Sequence, residues 1–351
     1  MSETMQQTAE PVLEIRNLSI DYPISIGTVG AVEKVSFDLY KGEALGLVGE
    51  SGCGKSTLGL SILKLVRPPG KITGGQILYK GRDIVSMRDR QILKLRGQNI
   101  AMAFQNPLTS LNPLFRIDRQ FLETIHQHEP GINKSEALKL AEAILEELGI
   151  EPSRLYEYPH QLSGGMRQRI MLGLGLIMNP DIIVADEPTT SLDVIVEAGF
   201  IDLLNRLRGR YNLSILLITH NLGLVAEIAD RVAVMYAGKI VEIGGADKIF
   251  HDPLHPYTYG LINCVPNIRL DQEELVTMPG NPPDLVNPPA GCRFSPRCPK
   301  VMDICRVQEP ELKAPAAVQG TGQLSDQTSG AGSDTARRVT ACWLYQVKGA
   351  E

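Results

Sequence analysis

Gly49-Glu50-Ser51-Gly52-Cys53-Gly54-Lys55-Ser56 follows the spacing G-x-x-x-x-G-K-[ST], and its reading decides the fold. The apolar run Ala44 to Val48 precedes it, and Thr57 to Leu65 reads as a helix after it. Strand, glycine-rich turn and helix in this order form a cradle for phosphate. Glycines let backbone amides curl around an anion, and the helix N-terminus adds positive potential. Lys55 is placed to reach the β- and γ-phosphates of a nucleotide, and Ser56 to offer a hydroxyl to magnesium. The nucleotide-binding stretch is therefore Gly49, Glu50, Ser51, Gly52, Cys53, Gly54, Lys55, Ser56 and Thr57. Within it Cys53 reads as a small filler residue, not a ligand.

Upstream, Leu18, Ile20 and Tyr22 alternate with polar neighbours, as do Val35, Phe37 and Leu39. Such alternation predicts antiparallel strands with one buried face. Downstream, Ile182 to Ala185 and Ser214 to Thr219 are short apolar runs separated by helix-like sequence, which predicts a parallel α/β sheet. The first ends in Asp186-Glu187. Phosphoryl chemistry needs one carboxylate near the metal and one group to activate water, so Asp186 takes the magnesium role and Glu187 the catalytic one. His220 closes the second run, at the sheet edge where α/β folds bind ligands. There it can bond the γ-phosphate and orient Glu187. Gln105 follows a further candidate strand, Ala101 to Phe104, and can touch magnesium or the attacking water. Asn133 to Gly149 carries apolar residues on one face, with Asn133 and Glu136 as a capping pair and Gly149 as the stop.

The 351 residues allow two to three domains at roughly 150 residues each. Hydrophobic residues make up 43% and charged residues 21%, enough for a real core. Acidic residues outnumber basic ones, 40 to 35, so no global charge draws the chain to nucleic acid. The longest apolar run, Ile170 to Met178, falls well short of the about 20 residues a spanning helix needs. The polar, acidic N-terminus lacks the features of a secretory signal. The expected location is cytoplasmic.

Leu162-Ser163-Gly164-Gly165-Met166-Arg167-Gln168-Arg169 resembles the signature of ATP-binding cassette proteins. Ser163 lies 23 positions before Asp186, as in that family. Tyr22, the phosphate loop, Gln105, the signature, Asp186-Glu187, Thr190-Ser191-Leu192-Asp193 and His220 occur in the family's order. The resemblance implies that two cassettes close head to tail around two ATP molecules. Tyr22 then stacks on adenine. Ser163, Gly164, Gly165 and Asp193 face the nucleotide held by the other cassette, Ser163 and the two glycine amides at a helix start suited to an anion. Family members often read Ser-Ala-Leu-Asp where this chain reads Thr-Ser-Leu-Asp, but Asp193 is kept.

Three further stretches are similar to the ATPase subunits of oligopeptide and dipeptide importers: Gln105 to Pro113, His251 to Thr258 and Gly291 to Pro299. Such importers combine two ATPase subunits, two transmembrane permease subunits and an extracytoplasmic binding protein. The implied function is ATP hydrolysis that drives peptide uptake from the cytoplasmic face of the membrane. Relatives also carry nickel, glutathione or oligosaccharides, and the cassette does not read the cargo. A soluble cassette ATPase of DNA repair or translation is the other reading, but those usually carry two cassettes or a very long coiled-coil insertion. Here only about 57 residues separate Gln105 from Leu162. The expected fold class is α/β: a P-loop NTPase core of ABC type with an antiparallel β subdomain, a helical subdomain and a cysteine-containing C-terminal extension. The expected divisions are 1–105 (β subdomain and first part of the core), 106–180 (helical), 181–250 (second part of the core) and 251–351 (extension).

Cys292-x5-Cys298-x6-Cys305, then 36 intervening residues before Cys342, gathers four of the six cysteines near the C-terminus. Four thiols in a cytosolic chain suggest iron–sulfur or zinc. The close C-x(2–4)-C pair usual for zinc is absent, and wider spacing suits a larger cluster. Similar importer subunits hold a four-iron, four-sulfur cluster at this pattern. Between these ligands, Ala314 to Arg338 is low in large apolar residues and reads as a linker.

Overall fold

A computed structural model describes residues 10–104, 110–190, 193–264, 278–315 and 338–346. Two sheets carry it. The first is antiparallel, in the order β2-β1-β4-β5, with β1 Pro11–Ile24, β2 Gly27–Tyr40, β4 Lys71–Tyr79 and β5 Arg82–Asp83. The second has seven strands in the order β11-β10-β9-β3-β8-β7-β6. Its parallel part is β3 Ala44–Val48, β6 Ile100–Ala103, β7 Ile182–Asp186, β8 Ser214–Ile218 and β9 Arg231–Tyr236. Strands β10 Lys239–Gly245 and β11 Val339–Thr340 extend it antiparallel.

In β1, Leu13, Ile15, Leu18 and Ile20 are all buried, which simple alternation cannot achieve. The register shifts between Ile15 and Leu18, where Asn17 takes φ 46°. This irregularity returns the apolar side chains to the buried face. Strands β3, β7, β8 and β9 are buried at every position, as expected of a sheet covered on both sides. Because β3, β8 and β7 run parallel in register, Val48, Ile218 and Asp186 end at one edge of the sheet. The phosphate loop, the acidic pair and His220 all leave from that edge.

Between β6 and β7 lie helices α3 Ile117–His128, α4 Lys134–Glu147 and α5 Gly164–Leu176 (α1 is Lys55–Ile62 and α2 Asp89–Leu95). Asn133 caps α4 by accepting a bond from the Glu136 amide at 2.9 Å. Ala137, Ala141, Ile144 and Leu145 form its buried stripe. In α5 the glycine at 173 lets the helix approach α4 closely, since a Cβ there would meet Leu148 at 2.6 Å. The apolar run Ile170 to Met178 is therefore mostly a packed helix. Asn133→Ala removes one helix cap, and the expected loss is about 1 kcal/mol, seen as a lower urea midpoint.

No helix among the described residues is long and apolar enough to cross a membrane. After β9 and β10, the chain forms α8 Ala246–His251 and α9 Pro256–Asn263 (α6 is Val194–Tyr211 and α7 Leu222–Ile228). Helix α10 spans Asp303–Val307. Tyr257 and Phe294 pack on Tyr236 of β9 with ring centroids 4.5 and 5.3 Å away, so this region shares the main core instead of building its own. Most of the linker expected at Ala314 to Arg338 lies outside the described residues. The chain returns as β11 and pairs with Glu242 and Ile243 of β10.

Candidate functional site

Strand β3 delivers the phosphate loop, and α1 begins at Lys55. Gly54 has φ 106°, and a Cβ there would overlap the Ala31 carbonyl, so this turn requires glycine. The Lys55 ammonium is buried and donates to the carbonyls of Gly49 at 2.8 Å and Glu50 at 3.0 Å. It thus sits inside the loop where phosphate oxygens would enter. Cys53 is buried, which pushes its thiol up, and its sulfur lies against the site of a Cβ on Gly49. It fills space as the sequence suggested.

Ser56 Oγ donates to Asp186 Oδ1 at 2.9 Å, across 130 residues of sequence. Burial pushes the Asp186 carboxyl up, and neighbouring Glu187 adds to this, while Ser56 and Lys55 oppose it. Glu187 leaves the end of β7 with φ 49°, an uncommon conformation for a residue with a side chain. Its amide donates to the Ile218 carbonyl at 2.7 Å, which pins the turn to β8. One carboxylate oxygen lies 2.8 Å from His220 Nδ1. The other accepts from Thr190 at 3.2 Å and Thr219 at 3.4 Å. Both oxygens are therefore oriented before any substrate arrives. The two threonines were not marked by the sequence pattern, since hydroxyls at strand ends and turns are commonplace there. Behind them, Glu197 on α6 accepts from Thr189 and Asn221, tying the β7 and β8 turns together.

Gln105 falls outside the described residues, as do Ser191 and Leu192. The strand leading to Gln105 ends with Ala103 opposite Ala185, one residue before Asp186. Tyr22 is half-buried in β1, and a Cβ on Gly70 would come within 2.5 Å of its ring, so the ring lies beside that glycine.

The signature forms a separate place. Ser163 caps α5, accepting from the Met166 amide at 3.3 Å, and Asp193 caps α6, accepting from Val196 at 2.9 Å. Ser163, Gly164, Gly165 and Asp193 line one open cavity of about 420 Å³, together with Arg169 and Val196. No phosphate-loop residue, nor Asp186 or Glu187, lines it. The sequence-assigned residues that are described thus fall mainly in two separate places on one chain.

Cys292, Cys298, Cys305 and Cys342 all line a third, small cavity, walled also by His255, Phe294 and Leu344. Strand β11 brings Cys342 there despite the long intervening segment, and the Cys292 amide bonds the Cys305 carbonyl at 2.8 Å. Burial pushes the Cys292 thiol up to about 11 and the Cys342 thiol to about 12, and raises Cys298 as well. It also holds His255 neutral, pushed down to about 3. Among the described residues no three His, Cys, Asp or Glu side chains converge enough to hold a metal ion. The four expected ligand cysteines share one cavity, but among the described residues the geometry gives no support to the expected iron–sulfur or zinc site.

A family model described as "ABC transporter" matches residues 32–190, and one described as "Oligopeptide/dipeptide transporter, C-terminal region" matches residues 241–305. The Bacillus subtilis dipeptide transport ATP-binding protein DppD is 48% identical over 84% of this chain and 89% of its own length. The Salmonella typhimurium oligopeptide transport ATP-binding protein OppD is 43% identical over 90% and 94% respectively. Among solved structures, the dimeric ATP-binding cassette MJ0796 bound to ADP and Pi superposes with TM-score 0.60 at 26% identity. That match covers 67% of this chain and 98% of MJ0796. The cassette at the sheet edge and the sequence running past it identify the chain as a member of the ATP-binding cassette transporter family, in its oligopeptide/dipeptide branch.

Proposed function

We propose that the chain is the ATP-hydrolysing subunit of an oligopeptide or dipeptide importer. It works on the cytoplasmic face of the membrane, paired with a second cassette and two permease subunits that receive peptide from an external binding protein. The observation that carries this is the oriented Glu187–His220 pair set directly beside Ser56, Asp186 and Lys55. The names of the relatives supply the peptide.

The loop amides and Lys55 hold the β- and γ-phosphates. Ser56 Oγ and Asp186 Oδ1, hydrogen-bonded at 2.9 Å, are the oxygens that would hold magnesium. Gln105 is assigned the third protein contact. Magnesium would offset charge on the β- and γ-phosphates. Glu187 orients the attacking water and takes its proton. His220 fixes the Glu187 carboxylate and reaches toward the γ-phosphate. The signature half-site, with Ser163, Gly164, Gly165 and Asp193, serves nucleotide on the second cassette, because it lies apart from this chain's own loop. Tyr22 is assigned to adenine.

The division into β subdomain, split core, helical insertion and cysteine-containing extension remains our reading of the chain. Within the extension, the four thiols line one cavity, and the reading of a four-iron, four-sulfur cluster over one zinc rests on the wide spacing of these cysteines in the sequence. Anaerobically purified protein is expected to be brown, with broad absorbance near ~400 nm that Cys298→Ser abolishes. A colourless protein with one bound zinc would overturn that assignment. For the transport role, the chain co-expressed with its permeases should form a complex whose ATP turnover rises when peptide-loaded binding protein is added. Turnover that responds to nickel or a sugar-loaded binding protein would replace the peptide.

A further inference from the structure

Glu50, the second residue of the phosphate loop, is gripped from the C-terminal region at both its side chain and its main chain. Arg297 makes a two-pronged ion pair with it, at 2.9 and 3.0 Å. The guanidinium is only 6% exposed, and its remaining bonds go to the Pro279 carbonyl at 2.9 Å and the Tyr236 hydroxyl at 3.3 Å. It is committed in a fixed direction. The Glu50 amide donates to the hydroxyl of fully buried Tyr257 at 2.9 Å. The carbonyls of Gly49 and Glu50, on either side of that amide, are the ones that receive Lys55. A shift of Glu50 therefore moves the acceptors that place the ammonium.

A buried ion pair is weak reason for stability alone, because removing two charges from water offsets much of their attraction. Its geometric worth is greater, since paired planar groups fix orientation. Neither residue belongs to the part of the chain matched as the cassette, residues 32–190, yet both reach its phosphate loop. Arg297 also directly precedes Cys298, which lines the thiol cavity.

We propose that Arg297 and Tyr257 are positioning residues for the phosphate loop, so that the C-terminal region sets the affinity of the cassette for ATP. This rests on the loop being the ATP site. Neither side chain is expected to touch the nucleotide; both act through Glu50.

The test uses the full chain. A fluorescent ATP analogue is titrated against wild type, Tyr257→Phe, Arg297→Gln, Glu50→Gln and the Arg297→Gln/Glu50→Gln double variant, with melting curves alongside. Turnover is measured in the assembled transporter. Tyr257→Phe keeps the ring that packs on Tyr236 and removes only the acceptor, so it remains folded even where Arg297→Gln does not. The expected result is a rise in Kd and in KM of roughly threefold to tenfold for Tyr257→Phe and for Arg297→Gln, with kcat at saturating ATP nearly unchanged. The double variant should be no worse than the poorer single one, because one interaction is lost only once. Unchanged Kd in folded Tyr257→Phe, or additive losses in the double variant, would overturn the proposal. Failure of the wild-type chain to bind the analogue would instead remove the ATP assignment on which it rests.

Discussion

Glu187→Gln is expected to bind ATP as the wild type does and to lose turnover by roughly 10² to 10⁴, the usual contribution of a positioned general base. The separation of the two effects follows from the geometry. Binding is assigned to the loop, Lys55 and the Ser56–Asp186 pair, none of which the change alters. The unusual backbone at 187 is held by its own amide on the Ile218 carbonyl, so the turn survives replacement of the side chain. Glutamine has the same length and still offers an oxygen to the Thr190 and Thr219 hydroxyls. What it lacks is a carboxylate able to receive a proton. Equilibrium binding of an ATP analogue together with single-turnover hydrolysis separates the outcomes. Normal hydrolysis would remove Glu187 from its role and leave His220 as the group to examine next.

Most of this site is legible in the sequence. The phosphate loop announces itself by spacing, and the runs ending in Asp186 and His220 announce parallel strands. Parallel strands put their C-terminal ends together, so the meeting of Ser56, Asp186, Glu187 and His220 follows from topology alone. The irregularity at Asn17 was not legible, since a residue inserted into a strand leaves only a slip in the alternation. Thr190 and Thr219 were hidden for another reason: their hydroxyls matter because the Glu187 turn folds back toward β8, which no periodicity encodes. The packing of the C-terminal region was not legible: Tyr257 and Phe294 share the core of β9, β11 pairs with β10, and Arg293 bonds Glu33 and the Ala237 carbonyl. Those contacts join residues far apart in sequence, where composition carries no distance information. The same holds for Cys342, whose place beside the other thiols depends on β11 returning to the sheet.

Ser163→Arg is expected to leave ATP binding by this chain intact and to reduce turnover of the assembled transporter by roughly 10² or more, the lower end for disrupting a preorganised anion donor. The cavity that Ser163 shares with Gly164, Gly165 and Asp193 contains no residue of the chain's own phosphate loop. A long cationic side chain placed there fills space meant for something brought by another molecule. The folding cost is small, because the Ser163 cap bond to Met166 is 3.3 Å long and its loss is expected to amount to about 1 kcal/mol or less. Loss of turnover with intact binding and an unshifted melting curve thus reads as a blocked second half-site. The comparison that decides the point is between the isolated chain and the complete complex. If the isolated chain binds ATP normally and the complex hydrolyses it at the wild-type rate, the two half-sites do not meet head to tail. The cavity at Ser163 would then need a different occupant.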